Sequence, residues 1–139
     1  MSGARPRLTR ILETVLYCPD AMRDEMERFY DDLLGLGDRK IGRLGYRLGA
    51  GVLLIFDAEK SAAQDSPPAH GTTGSAHTCF VCEAGSYETW KRRIADAGLD
   101  VLEEIAWSPP LRGRSFYFRD PAGHVLEIAD RDIWPGADG

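Results

Sequence analysis

The chain has 139 residues, 43% of them hydrophobic and 28% charged, with a formal net charge of −5. That length supports one domain with a real core, and the acidic balance argues against nucleic acid or an anionic membrane as partner. No apolar run reaches membrane-spanning length, the first six residues lack a signal-peptide core, and three cysteines make no disulfide framework, so a cytoplasmic location is expected.

Residues 1–8 read as a loose arm, and Ile11 to Cys18 as a strand. Pro19-Asp20 opens a helix over Ala21 to Leu34, in which Met22, Met26, Phe29, Tyr30, Leu33 and Leu34 recur at helical spacing. Gly35 or Gly37 ends it. Strands are predicted at Lys40 to Leu48 and Val52 to Phe56, turning at Gly49-Ala50-Gly51. Asp57 to Ser75 is polar and rich in Ala, Ser, Pro and Gly, as a connector is.

The pattern then restarts. Ala76 to Cys82 is a strand, Ser86 a candidate N-cap, and Tyr87, Trp90, Ile94 and Ala97 line a helix that stops at Gly98. Val101 to Trp107 is a strand and Ser108 to Gly113 a loop. Arg114 to Asp130 is a hairpin around the type I turn Asp120-Pro121-Ala122-Gly123. His124, just past the turn glycine, is expected to face solvent.

The chain thus reads as α+β, with a β-α-β-β-β unit used twice inside one domain spanning 1–139. The first module covers 9–58, the connector 59–75 and the second module 76–130. The first strands superpose at an offset of 77 − 13 = 64 and the last strands at 127 − 54 = 73. Glu13 then matches His77, and Leu54 matches Glu127. Simple pairing across each module's final hairpin puts Gly45 opposite Leu54 and Phe116 opposite Glu127. It also matches Tyr46 with Tyr117 and Arg43 with Arg114; a bulge would shift these by one residue.

Four equivalent positions converge, and three carry Glu13, His77 and Glu127. With the stretches Leu12 to Tyr17, Phe29 to Leu36 and Tyr117 to Glu127, this pattern resembles the vicinal oxygen chelate superfamily. That superfamily holds glyoxalase I, bleomycin-resistance proteins, fosfomycin-resistance thiol transferases and extradiol dioxygenases. The resemblance covers residues 9 to about 134. It implies that each module curls its mixed sheet into a half-cup, and that a divalent metal sits between two half-cups. Carried over by position, the ligands are Glu13, His77 and Glu127, while Leu54 cannot coordinate. The resemblance also implies a homodimer with cavities shared between chains, Glu13 coming from one chain and His77 with Glu127 from the other.

The donor chemistry fits such a site. Two carboxylates offset a divalent charge, one imidazole adds a borderline donor, and three ligands leave room for water or substrate. Mn, Zn, Fe, Ni and Mg all stay open, although the set lacks the two histidines typical of O₂-activating iron. Glu127 and the loop residue His70 are the candidate catalytic groups. Arg43 and Arg114 are candidates for holding an anionic substrate, Phe116 and Phe118 for the cavity wall, and Cys79, on the face of His77, for its lining. Each has a plainer alternative: Glu127 paired with Arg114, His77 as a hydrogen-bonded strand histidine, Glu13 solvated beside Arg10, the arginines in salt bridges, the phenylalanines and Cys79 in the core. The expected function is a metal-dependent enzyme acting on a small oxygenated substrate. The alternative is a metal-free protein that sequesters a small compound.

Overall fold

The computed structural model describes residues 5–136, so the first four residues of the predicted arm lie outside the described chain. Two four-stranded mixed sheets form, one from each half of the sequence. In the first, β1 (Glu13–Cys18) pairs parallel to β4 (Gly51–Asp57), which pairs antiparallel to β3 (Gly45–Leu48), and that in turn to β2 (Lys40–Gly42). In the second, β5 (His77–Val81), β8 (Val125–Ala129), β7 (Arg114–Arg119) and β6 (Glu103–Ala106) repeat that order and those directions. The β-α-β-β-β repeat is therefore present twice.

Between β1 and β2 the helical run is irregular. A 3-10 turn (Asp20–Met22), α1 (Arg23–Arg28) and a π turn (Phe29–Leu33) follow without a break. The second half has the regular helix α3 (Tyr87–Asp96). Ser86 does not cap it through its side chain; its hydroxyl donates instead to Glu83 O at 2.6 Å. The connector holds a short helix, α2 (Ala58–Ala63), capped by Asp57, whose carboxylate accepts from Lys60 N–H at 3.0 Å. The strand expected over Lys40 to Leu48 is in fact two, because Leu44 turns the chain at φ +57°. A leucine rarely adopts that conformation, and its 1% exposure supplies the compensating burial.

One face of each sheet is packed. Leu16, Leu53, Ile55 and Tyr46 from the first sheet join Phe116, Phe118, Leu126 and Ile128 from the second in a single buried cluster. Met26, Phe29 and Tyr30 from the first helical run and Ile94 from α3 fill it. The alternate residues Val15, Tyr17, Leu54 and Phe56 lie on the other face of the first sheet, which stays half-open.

The modules are tied by buried polar groups at the last turn. Asp120, 5% exposed, accepts from Tyr30 O–H at 2.7 Å and from the N–H groups of Ala122 and His124 at 3.0 and 2.9 Å. His124 is not at the surface: it is 3% exposed. Its Nδ1 accepts from Ala76 N–H at 2.9 Å, and its Nε2–H donates to the Tyr17 carbonyl at 2.6 Å. His124 thereby becomes part of the turn. Arg119 pairs with Val125, so five residues connect β7 to β8 rather than four, with Gly123 at φ +90°. Replacing Tyr30 by Phe removes one charge-assisted bond across the module boundary. It should lower the unfolding free energy by about 1.5–3 kcal/mol in urea denaturation; a loss under about 0.5 kcal/mol would show that the bond does not join the modules energetically.

Candidate metal centre

The five-residue turn shifts the last hairpin by one residue. Tyr117, not Phe116, stands opposite Glu127, and Phe116 faces Ile128. A one-residue shift reverses faces, so Phe116 and Phe118 lie in the core, both at 0% exposure, and do not line a cavity. Arg114 falls on the helix side. It meets Glu88 at 2.9 Å and lies over the Tyr87 ring, 4.2 Å from its centroid. Arg43 is likewise held by Asp24 at 2.5 Å and Glu27 at 3.1 Å, beside α1. Neither arginine is placed to hold substrate on the open face. In the first hairpin Gly45 does oppose Leu54, so Tyr46 corresponds to Phe118 rather than Tyr117, and Arg43 falls in the turn between β2 and β3 with no counterpart on β7.

The parallel pairings keep the predicted equivalences. Glu13 aligns with Val52 and His77 with Val125, while Val15 aligns with Leu54 and Cys79 with Glu127. His77, Cys79, Glu127, Tyr117 and Ser115 therefore share the open face of the second sheet. His77 Nε2 lies 3.1 Å from Glu127 Oε1, and His77 Nδ1 lies 2.8 Å from the Val125 carbonyl. The His77 ring stacks on Tyr117, with centroids 6.0 Å apart. The side chain of His77 is 50% exposed and that of Glu127 only 5%. The other Glu127 oxygen, Oε2, accepts from Ser115 O–H at 2.5 Å. Ser115 in turn accepts from Trp107 Nε1–H at 3.0 Å.

This pair has a lone-pair conflict. The Val125 carbonyl only accepts, so Nδ1 carries the ring hydrogen. A neutral His77 then presents the Nε2 lone pair to a carboxylate oxygen. Two acceptors 3.1 Å apart need a cation or a proton between them. Neighbouring donors at about 2.0–2.2 Å from one divalent ion are spaced in just this way. A carbonyl-anchored imidazole beside a hydrogen-bonded carboxylate is also the usual outer shell of metal ligands. The donor set therefore fits a divalent metal.

The negative charge of Glu127 marks its neighbours. The Cys79 thiol is pushed up to about 12, first by burial and then by Glu127. Burial and the same carboxylate raise the Tyr117 phenol. Glu13, exposed at the start of β1, does not join the pair: among the described residues no group of three His, Cys, Asp or Glu stands close enough to hold a metal. His70 lies elsewhere. Its Nδ1 is 2.5 Å from Tyr17 Oη, and its ring is 5.6 Å from both Tyr17 and Phe56, on the open face of the first sheet. Ser115, Trp107 and Tyr117 were not singled out as site residues from the sequence. The alternation of β7 would have exposed Ser115 and Tyr117 once the five-residue turn was known.

No protein-family model matches the chain. Among curated proteins it is 36% identical to the metallothiol transferase FosB of Shouchella clausii over 52 residues, 37% of this chain and 36% of that protein. It is 30% identical to the glutathione transferase FosA of Serratia marcescens over 100 residues, 72% of this chain and 67% of that protein. Among solved structures, a lactoylglutathione lyase from Agrobacterium tumefaciens superposes with a TM-score of 0.78 at 31% identity, covering 93% of this chain and 98% of that one. Fold and relatives together define the class, the glyoxalase/bleomycin resistance/dioxygenase fold. The chain belongs to the vicinal oxygen chelate superfamily. All three relatives are named as enzymes, so sequestration finds no support among them. Among the described residues no helix is long and apolar enough to cross a membrane.

In metal-free protein Cys79 should stay a thiol well above pH 9, where an unperturbed cysteine is largely ionised. Alkylation at pH 9, followed by peptide mass mapping, should run at least about tenfold slower than for free cysteine. Glu127→Gln should accelerate it; equal rates would mean that the carboxylate does not act on the thiol.

Proposed function

We propose that the protein is a metal-dependent enzyme acting on a small oxygenated substrate, with Glu13, His77 and Glu127 as ligands of one divalent ion. The observation that carries this reading is the 3.1 Å approach of His77 Nε2 to Glu127 Oε1 while Nδ1 is committed to Val125. Glu13 occupies the matching place on the other module. It completes the set when the first module of one chain faces the second module of a partner chain. The half-open apolar face of Val15, Leu54 and Phe56 supports that homodimer, since such a face calls for cover.

A bound divalent ion would supply Lewis-acid stabilisation of negative charge on a substrate oxygen. The chain's own groups do the rest. Tyr117, stacked on His77, walls one side of the site. Its raised phenol remains an O–H donor through neutral pH. His70, a connector residue paired with Tyr17 Oη over the open face of the first sheet, is the candidate proton-transfer group there. All three relatives are named for a thiol, glutathione or a glutathione adduct. A low-molecular-weight thiol acting on an oxygenated electrophile is therefore the first reaction to assay.

Titration of untagged protein with Mn²⁺, Zn²⁺, Ni²⁺ and Fe²⁺ tests the metal, with one ion expected per Glu13-His77-Glu127 set. Glu127→Gln should weaken binding on the order of a hundredfold, because a neutral amide cannot offset the cation's charge. Protein that binds none of these ions sinks the reading. Shared sites are tested by mixing Glu13→Ala and Glu127→Ala proteins, each expected to bind poorly. After subunit exchange one intact site should return per heterodimer; exchange without a returning site would place all ligands on one chain.

A further inference from the structure

Glu127 sits at the end of a directed chain of hydrogen bonds. An indole N–H only donates and a carboxylate only accepts, so the order is fixed: Trp107 Nε1–H to Ser115 Oγ, then Ser115 O–H to Glu127 Oε2. The distances are 3.0 and 2.5 Å, and Ser115 has 0% exposure. Oε2 is thus engaged by the protein, while Oε1 alone is turned towards His77.

The loop between β6 and β7 is shaped to hold the first donor. Trp107 N–H donates to the Gly113 carbonyl at 2.8 Å. Gly113 has φ +75°, and a Cβ there would come within 2.4 Å of Asp130 Oδ1. A larger residue would be strained at that φ and would push aside the Asp130 and Arg131 side chains.

The first module serves as an internal control. The position matching Glu127 is Leu54, but β3 begins only at Gly45, so no strand residue stands where Ser115 does; Arg43, in the turn between β2 and β3, is held by Asp24 and Glu27 instead. A hydroxyl stands behind the strand only in the module that has a carboxylate to orient.

We infer that Ser115 and Trp107 are positioning residues that make Glu127 a one-oxygen metal ligand. Resting on the proposed metal site, the inference gives it a specific form. Ser115 occupies Oε2 and fixes the carboxylate plane, and Trp107 fixes Ser115. The second oxygen is then withheld from the ion, which keeps a coordination position open for substrate.

Co²⁺ binding to the full-length protein tests this, read by calorimetry and by the visible absorption of the bound ion. Ser115→Ala should weaken Co²⁺ binding about tenfold or more, the usual effect of losing an outer-shell partner. It should also shift the Co²⁺ bands, because both carboxylate oxygens become available. Trp107→Phe removes only the N–H donor and should shift the bands in the same direction with a smaller loss of affinity. If Ser115→Ala fails to fold, as judged by circular dichroism of the metal-free protein, Trp107→Phe decides alone. Folded variants that bind Co²⁺ with wild-type affinity and unchanged bands overturn the inference and leave the metal site standing. Wild-type protein that takes up no Co²⁺ overturns both.

Discussion

The structure turns on the carboxylate of Asp120. A buried carboxylate is tolerated only when donors surround it, and here they come from two places. Ala122 and His124 supply backbone N–H groups from its own turn, and Tyr30 supplies a hydroxyl from the other module. The first pair sets the turn at five residues, and the third bond sets where the turn sits. Register follows from this, and with a side-chain period of two, register decides which residues face the core. Glu127 and Tyr117 look out together because Asp120 gathers His124 into the turn.

The two modules repeat more than topology. On the helix side each uses an arginine between acidic groups: Arg43 between Asp24 and Glu27, Arg114 between Glu88 and Glu104. Each also buries a tyrosine ring whose hydroxyl reaches a carboxylate, Tyr46 to Asp31 and Tyr87 to Glu104. Such exposed ion pairs contribute little stability singly. Their structural effect is to keep both arginines on the outer surface, away from the open faces.

The repeat was legible in the sequence because parallel pairing of first and last strands involves no turn. Glu13 with His77 and Leu54 with Glu127 follow from two offsets, and the pairings agree. What depended on turn geometry was less legible. Asp120-Pro121-Ala122-Gly123 has the composition of a four-residue turn, and no local signal says that His124 is drawn in by Tyr17 and Ala76, distant in the sequence. That one residue moved Phe116 and Phe118 into the core and Arg114 to the helix side. The break at Leu44 was hidden for a similar reason: a leucine at positive φ has no sequence signature and is held by its burial. The helix α2 did carry a signal, Asp57 as its cap, but six residues are too few for a periodic pattern.

Leu54 and Glu127 are two solutions to one position in a duplicated fold. Leu54 rests on an apolar open face beside Val15, an arrangement that asks nothing of a ligand. Glu127 is more deeply buried than Leu54, yet its Oε1 faces the His77 imidazole and its Oε2 is held by Ser115. A buried carboxylate costs more than the aliphatic side chain it replaces. The second module therefore carries a cost that the first lacks, and a cation bound at the proposed site would offset it and stabilise the fold. Breeding this chain for heat resistance alone would drive the second module to resemble the first, and would erase the half-site in doing so.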